Sequence, residues 1–290
     1  MERHNETQRL KVALGISAVY FFAEVIAGFL TNSLALLSDA GHMLSDIAAM
    51  ALSLFAFHFA RRPATDNSTY GYHRVEILAA LFNGLALWLI VGVIFTAAYN
   101  RLFSPPEVAS RGMIIVAVVG LVVNIAAGVI LYDRHHHNLN LHGAFLHVVS
   151  DAVGSLGAIA AGLIMLKTEW YLADPLISIF IGVLILFSSW HLIAESLSIL
   201  MQSVPRGIRL EEVRETIESV EGVAKVHDLH VWTVTSGVHT LSAHAVVENG
   251  GDFHEVLDGI ESTLRRRFNI EHTTIQLEVQ NREETEFKGF

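Results

Sequence analysis

Two pairs of residues in apolar segments each combine a histidine with an aspartate four positions further on. His42 precedes Asp46 in one segment, and His147 precedes Asp151 in another. Residues at i and i+4 share one face of a helix, so each pair can close on a single ion. If two such helices face each other, they supply two imidazoles and two carboxylates. This four-ligand nitrogen and oxygen set suits Zn²⁺, and its two negative charges neutralise one divalent cation.

The cost of placing these residues in an apolar segment favours a functional role. A charged aspartate at the centre of a bilayer costs about 2.5–3.5 kcal/mol on insertion scales. For a single pair, a purely structural role in hydrogen bonding between helices stays open. Two pairs of the same type and spacing favour a metal site.

The same four groups can also exchange protons. In an empty site, neighbouring carboxylates and neutral imidazoles can take up protons. Because metal binding requires deprotonated ligands, it expels those protons. A site that opens alternately to the two sides of a membrane would then exchange Zn²⁺ for H⁺.

The composition supports a membrane location. Of the 290 residues, 52% are hydrophobic and 17% are charged, against about 25% charged in soluble domains. The long apolar runs end near residue 200, and more than half of the 29 acidic residues follow position 204. We therefore predict a transmembrane transport domain at 1–204 and a cytoplasmic metal-binding and dimerisation domain at 205–290. The net charge of −10 argues against nucleic-acid binding, and the absence of cysteine excludes thiolate ligands.

Six apolar stretches reach the length of about 20 residues that spans a bilayer. They are predicted as helices near 12–30, 34–59, 75–99, 112–132, 142–166 and 174–200. Lys and Arg are more frequent in the N-terminal segment and in the loops after spans 2 and 4, which places both termini in the cytoplasm. The lack of targeting extensions favours a bacterial inner membrane. Asp174 and Pro175 predict the N-cap and first turn of the sixth helix.

Other polar residues in the spans carry weaker signals. Glu24, Asp39 and Asn124 could line a cavity or join helices, and we prefer the structural role for each.

The tail is predicted to be a small α+β domain of the order αββαβ, which suggests a ferredoxin-like fold. Helical spacing runs from Leu210 to Val220. Two β-rich segments, Val223–Val234 and Val238–Val247, are joined by a hairpin signal. Asp252 is expected to cap a second helix that ends near Phe268, and Thr273–Val279 forms a third strand.

With these segments in view, the chain resembles the cation diffusion facilitators, specifically their zinc-transporting branch. The resemblance covers nearly the whole chain in order. It is carried by the stretches around the two His-Asp pairs, by the Tyr70–Arg74 loop, by the His227–Trp232 segment and by the Thr274–Glu278 strand.

The resemblance implies six transmembrane helices, cytoplasmic termini, a ferredoxin-like cytoplasmic domain, a homodimer in the lipid bilayer and metal–proton antiport. It implies that His42, Asp46, His147 and Asp151 form the transport site. A histidine at position 42 is associated with a preference for zinc, with cadmium or cobalt as secondary substrates.

Metal sites outside the membrane carry over less completely. The resemblance implies a structural or regulatory Zn²⁺ in the tail, on His227, His244, His254 and Glu278, with His230 as a substitute. Gln276 stands where some members have a further histidine. In the loop before span 3 only Asp66 and His73 remain as candidate ligands. His135, His136 and His137 form a His-rich loop that either collects zinc or is simply solvated.

Three classes of function follow from these residues. The first is a secondary transporter that exports Zn²⁺ against H⁺. The second is an intramembrane metalloenzyme, which four closed ligands and the absence of HExxH or nucleophile motifs disfavour. The third is a membrane zinc sensor that binds metal without net flux. We predict the transporter and no enzyme activity.

Overall fold

A computed structural model of the chain describes residues 2–60, 64–132, 139–235, 237–248 and 252–279. Side chains are described over a smaller set, chiefly 18–45, 64–126, 151–235, 237–248 and 252–279.

Six long helices occupy the described residues before position 201, in the order that the apolar stretches predict. They are α1 (Glu2–Thr31), α2 (Leu34–Ala60), α3 (Val75–Phe103), α4 (Ser110–Tyr132), α5 (Leu139–Thr168) and α6 (Ala173–Leu200). Each helix contains or nearly matches its predicted stretch, because the breaks fall at turn residues. Asn32, for example, adopts a left-handed conformation with φ 55° between α1 and α2, which asparagine tolerates better than most residues.

Within the part of the chain whose side chains are described, three helical segments are long and apolar enough to cross a membrane. They are Val75–Phe103, Asp151–Thr168 and Ala173–Leu200. Two shorter apolar segments, Ala18–Thr31 and Ser110–Ala126, accompany them. The protein therefore has a helical membrane region, and the number of six spans stays a prediction.

The chain divides into two compact units. The first comprises Met1–Ser53 and Phe82–Ile193, and the second comprises Leu54–Leu81 and Ala194–Phe290. In addition to the predicted tail, the second unit thus includes the end of α6 and a segment that runs from the end of α2 into the start of α3.

Small residues bring the helices of the first unit together. A side chain at Gly157 would overlap Ile177 of α6, and one at Gly162 would overlap Ile114 of α4. Alanines such as Ala35 form part of the buried core. Large apolar side chains on the outer faces are strongly exposed, as expected for surfaces that contact lipid; they include Phe22, Phe29, Leu89, Val93 and Phe187.

The carboxylate of Asp174 caps α2, and the prediction that it caps its own helix α6 is wrong. It accepts hydrogen bonds from Ser33 Oγ (2.8 Å), Leu34 N–H (2.8 Å) and Ala35 N–H (3.1 Å). Arg101 of α3 forms an ion pair with it at 3.2 Å. The first N–H groups of a helix have no partner within the helix, so a buried carboxylate from a distant segment can satisfy them.

The tail contains α7 (Leu210–Glu218), β1 (Val223–Thr235), β2 (Val238–Val247), α8 (Phe253–Phe268) and β3 (Ile270–Val279). This is the predicted order of elements. The sheet order is β1-β2-β3, with β1 antiparallel and β3 parallel to the central strand β2. The ferredoxin-like assignment itself stays a prediction.

The tail helices pack one apolar face on the sheet. Val256, Ile260 and Leu264 recur every four residues along α8 and are all buried. Asp252 caps this helix as predicted, because its carboxylate accepts the His254 N–H at 2.9 Å. The helix ends at Phe268, as predicted, and its C-cap Asn269 is left-handed. The chain then enters β3 at Ile270, three residues before the predicted start of that strand.

Candidate metal centres

The first candidate centre lies between α2 and α5. Nε2 of His42 is 3.6 Å from Oδ1 of Asp151, and each side chain is only 15% exposed. This separation is too long for a good hydrogen bond. Two ligands bound to one tetrahedral zinc at 2.0–2.2 Å lie about 3.3–3.6 Å apart. The spacing therefore suits two ligands of a shared ion.

Asp46 and His147 occupy positions one helical turn from these two residues, on α2 and α5 respectively. Both helices are continuous across the pairs, so each His-Asp pair shares a helix face as the sequence predicts. The side chains of Asp46 and His147 lie outside the described residues. The site of four ligands therefore stays a prediction. Of its contacts, the structure describes the one between His42 and Asp151.

Buried polar side chains continue this polar region. Ser45, next to Asp46, donates its hydroxyl to Oδ1 of Asn83 at 3.1 Å, and both residues are buried. Ser155, one turn beyond Asp151, is also buried. Buried polar groups are costly unless they are satisfied, so their presence beside His42 and Asp151 makes this part of the helix interior polar.

The second candidate centre is in the tail, where each strand contributes one ligand. His227 of β1 pairs directly with His244 of β2, and Glu278 lies on β3. Nδ1 of His244 is 2.9 Å from Oε1 of Glu278, and Nε2 of His227 is 3.2 Å from its Oε2. One candidate ligand atom from each residue lies within 4.8 Å of the others. Two imidazoles and one carboxylate, one from each strand, thus converge on one position.

The electrostatics of Glu278 favour its charged form. Burial raises the pKa of the Glu278 carboxyl, but the hydrogen bonds with His227, His244 and Gln276, together with the His244 charge, outweigh burial. The pKa of Glu278 therefore lies below its ordinary value of 4.5. A carboxylate that stays ionised at neutral pH is ready to bind a metal.

Asp228 extends the tail cluster, and sequence reasoning missed it. Its Oδ1 lies 3.0 Å from Nε2 of His230, and its Oδ2 lies 3.9 Å from Nε2 of His244. Asp228 has φ 49° at an irregularity in the pairing of β1 with β2. The sequence signal for this position was weak. Aspartate tolerates a left-handed conformation, but the irregularity between His227 and His230 depends on how β1 pairs with β2.

The remaining predicted ligands do not join a cluster in the part of the chain that the structure describes. His254 is exposed at the start of α8, and Asp66 and His73 are exposed in the segment before α3. Among described residues, one group of three or more candidate ligands is found, His227 with His244 and Glu278. The predicted loop ligands His135, His136 and His137 lie outside the described residues.

The described residues thus combine apolar helices that bring a His-Asp pair together with a sheet domain that carries a His-His-Glu cluster. The family models that match the chain define its class as a cation efflux transporter rather than an enzyme. Residues 10–201 match the family described as "Cation efflux transmembrane domain", and residues 205–280 match "Cation efflux protein, cytoplasmic domain". The chain belongs to this cation efflux family, which confirms the resemblance inferred from the sequence motifs.

Curated relatives are similar over almost their full length. The "Cadmium, cobalt and zinc/H(+)-K(+) antiporter" of Bacillus subtilis is 44% identical, covering 96% of this chain and 91% of the relative. The "Metal cation efflux system protein CzcD" of Cupriavidus metallidurans is 42% identical, covering 93% and 86%. The "Zinc transporter ZitB" of Shigella flexneri is 40% identical, covering 95% and 88%.

Among solved structures, the metal-bound C-terminal domain of the CzcD transporter from Cupriavidus metallidurans is 39% identical. The match covers 24% of this chain and 99% of that domain, with a TM-score of 0.24.

Proposed function

We propose that this protein exports Zn²⁺ from the cytoplasm in exchange for H⁺, with Cd²⁺ and Co²⁺ as secondary substrates. The proposal assigns the transported ion to His42, Asp46, His147 and Asp151. The observation that carries it is the approach of His42 to Asp151 at 3.6 Å between two different helices. Their i,i+4 partners on the same helix faces would complete a tetrahedral site.

The ligand chemistry supports a zinc preference. Imidazole nitrogen and carboxylate oxygen together suit Zn²⁺, whereas an all-oxygen site would favour harder ions. The two aspartates neutralise the charge of a divalent cation in a low-dielectric interior. When the metal leaves, the same groups can take up protons, so exchange with H⁺ follows from the ligands themselves.

The names of the relatives are consistent with this reading. The Bacillus subtilis relative is named for cadmium, cobalt and zinc with H⁺ and K⁺, and the Shigella flexneri relative is named for zinc.

The proposal is tested by metal flux into proteoliposomes that contain the purified full-length chain. Zn²⁺, Cd²⁺, Co²⁺ and Mn²⁺ are offered in parallel, with and without an imposed pH gradient. We expect Zn²⁺ flux that rises with the gradient and little Mn²⁺ flux. Zinc flux that ignores the gradient would refute the exchange with H⁺, and metal binding without any flux would support a sensor instead.

The site assignment is tested in the same vesicles with Asp151→Asn, which keeps the side-chain volume but removes the charge and weakens the ligand. We expect flux of all the metals to fall to the level of empty liposomes. Asp258→Asn, an exposed residue of α8 in the tail, is the control. Flux in the Asp151 variant equal to that of the control would place the site elsewhere.

In the tail, we propose that His227, His244 and Glu278 hold a structural or regulatory Zn²⁺. The residues fit this ion, since two imidazoles and a carboxylate converge within 4.8 Å and the carboxylate is biased towards its charged form. A homodimer could supply a fourth ligand across the contact between two tails. His230 lies close enough, through Asp228, to belong to the same cluster.

The proposed setting is a bacterial plasma membrane that the chain crosses six times, with both termini in the cytoplasm. The transport domain would comprise residues 1–204, and the cytoplasmic domain 205–290 with a ferredoxin-like fold. The described helices α1 to α6 and the apolar segments among them support this arrangement.

A further inference from the structure

Three consecutive arginines, Arg265, Arg266 and Arg267, form the last turn of α8, and all three are exposed. Their side-chain hydrogen bonds in the described part of the chain go to hydroxyls. Arg267 donates to Thr216 at 2.9 Å, and Arg266 donates to Thr263 at 3.5 Å. No acidic partner is found for them among the described residues, although the net charge of the chain is −10. These three side chains make up the α8 basic surface of an otherwise acidic tail.

The strand pairing shows at which end of the tail sheet the α8 basic surface lies. The strand β3 begins at Ile270, two residues after α8 ends. Ile270 pairs with His239 of β2, which also pairs with Thr233 near the end of β1. The end of α8, the start of β3 and the end of β1 therefore lie at the same end of the sheet.

Two contacts join this end of the sheet to the segment that enters α3. Thr235, the last residue of β1, donates its hydroxyl to Oε2 of Glu76 at 2.8 Å. The ring of Tyr70 packs edge-on against His272 of β3, with the ring centroids 6.0 Å apart. Glu76 lies in the first turn of α3, a helix that is long and apolar enough to cross a membrane. The α8 basic surface is therefore at the end of the tail that lies nearest to the bilayer surface.

The chemistry of this end of the tail fits the headgroups of anionic lipids. Basic residues beside a membrane-spanning segment are attracted by the negative surface potential of a bilayer that contains anionic lipids. The guanidinium group also matches the geometry of a phosphate, to which it can donate two hydrogen bonds. An exposed apolar side chain accompanies the arginines, because Val238, which pairs with Thr235, is 46% exposed.

We propose that the α8 basic surface binds the headgroups of anionic phospholipids and holds the tail against the bilayer. The partner is the lipid of the leaflet that the tail faces, and it is recognised through its phosphate and its net negative charge. Arg265 and Arg266 make the contact, and Arg267, which donates to Thr216, contributes its charge. The proposal does not depend on which ion the protein transports.

A purely structural role for the arginines is the alternative, because cations in the last turn of a helix interact favourably with its dipole. That role predicts effects of substitution that are the same in every lipid. Lipid binding predicts effects that depend on the charge of the headgroup and that disappear at high salt, which screens charges at a surface.

The test measures how closely α8 approaches the bilayer in the full-length chain. The chain contains no cysteine, so Ser262→Cys at an exposed position one turn before Arg266 accepts a single fluorescent label. The labelled protein is reconstituted into vesicles of phosphatidylcholine alone or of equimolar phosphatidylcholine and phosphatidylglycerol. Both contain a trace of lipid with a nitroxide quencher on its headgroup. We expect stronger quenching in the phosphatidylglycerol vesicles, and we expect high salt to remove the difference.

The double variant Arg265→Gln/Arg266→Gln is made in the same labelled background. In phosphatidylglycerol vesicles it should lower the ratio of lipid-bound to free tail about thirtyfold, as expected for two basic residues near an anionic surface. Lys225→Gln is the control, since it removes an exposed positive charge near the start of β1, at the opposite end of the sheet. It should behave as wild type.

Equal quenching in the two kinds of vesicle, or unchanged quenching in the double variant, would overturn the proposal. An equal loss in Lys225→Gln would also overturn it, because any positive charge on the tail would then have the same effect. Inorganic phosphate that reverses quenching more than chloride does at the same ionic strength would identify free phosphate as the ligand instead. Quenching that follows the density of protein in the vesicles rather than the lipid charge would identify a second copy of the chain as the partner.

Discussion

The imidazole of His244 faces two carboxylates from different parts of the tail sheet. Its Nδ1 is 2.9 Å from Oε1 of Glu278, and its Nε2 is 3.9 Å from Oδ2 of Asp228. A metal-bound histidine commonly donates its second N–H to a carboxylate, which orients the ring. Asp228 is therefore placed to position His244 while Nδ1 points towards the ligand cluster.

Asp228→Asn should weaken metal binding in the tail. An amide at this position removes the negative charge that faces the His244 ring at 3.9 Å, and loss of a carboxylate partner of a metal-bound histidine typically costs 10–100-fold in metal affinity. We expect a loss of about tenfold, measured by zinc titration in an Asp151→Asn background that removes the proposed membrane site. Asp258→Asn on the exposed face of α8 is the control. Equal affinities in the two proteins would show that Asp228 does not act on His244.

The stability of the metal-free tail should fall on acidification because of Glu278. The pKa of this carboxyl is lower in the folded tail than its ordinary value of 4.5, so the unfolded chain binds more protons between the two values. The stabilisation is present above pH 4.5 and is lost as the pH falls through the folded value.

This pH dependence is measured as the thermal midpoint of a fragment starting at Ser203, followed by circular dichroism from pH 6 downward. Glu278→Gln should have the lower midpoint at pH 6, and the difference from wild type should shrink as the pH falls. Glu271→Gln, an exposed residue of the same strand, serves as the control. If the difference in thermal midpoint between wild type and Glu278→Gln were independent of pH, the lowered pKa of Glu278 would not be the cause of the acid destabilisation.

His42→Asp should keep metal flux while changing selectivity. The aspartate retains a ligand atom on the same helix face but replaces nitrogen with oxygen. We expect the ratio of Zn²⁺ to Cd²⁺ flux in proteoliposomes to fall. An unchanged ratio would show that position 42 does not set the metal preference.

Asp174→Asn should destabilise the first unit without removing a metal ligand. The variant loses the charge that holds Arg101 and weakens the bonds to Ser33, Leu34 and Ala35. Because Arg101 is 19% exposed and keeps its hydrogen bonds to Asn32, the cost should lie below that of a fully buried pair, which is about 3–5 kcal/mol. The thermal midpoint of the detergent-solubilised protein should therefore fall clearly, whereas Glu107→Gln at an exposed position should leave it unchanged. Equal midpoints would mean that the ion pair and hydrogen bonds of Asp174 contribute little to the stability of the first unit.

Much of the architecture follows from local sequence signals. Apolar runs and turn residues predict the order of α1 to α6, and periodicity predicts the tail elements with their N-cap at Asp252. These features depend on residues within one or two turns of each other, so they can be derived without the tertiary structure. The i,i+4 spacing of His42 with Asp46 belongs to the same class.

The partners of buried charges could not be derived in this way. Asp174 caps a helix that begins 140 residues earlier, and Asp228 turns towards His244 at a strand irregularity. Each depends on how separate elements pack, and a sequence pattern carries no direct signal of that packing. The sequence by itself determined which groups are available for metal and proton chemistry. The tertiary structure decided which of these groups lie in contact, because the partner of a buried charge is set by the packing of elements that are distant in sequence.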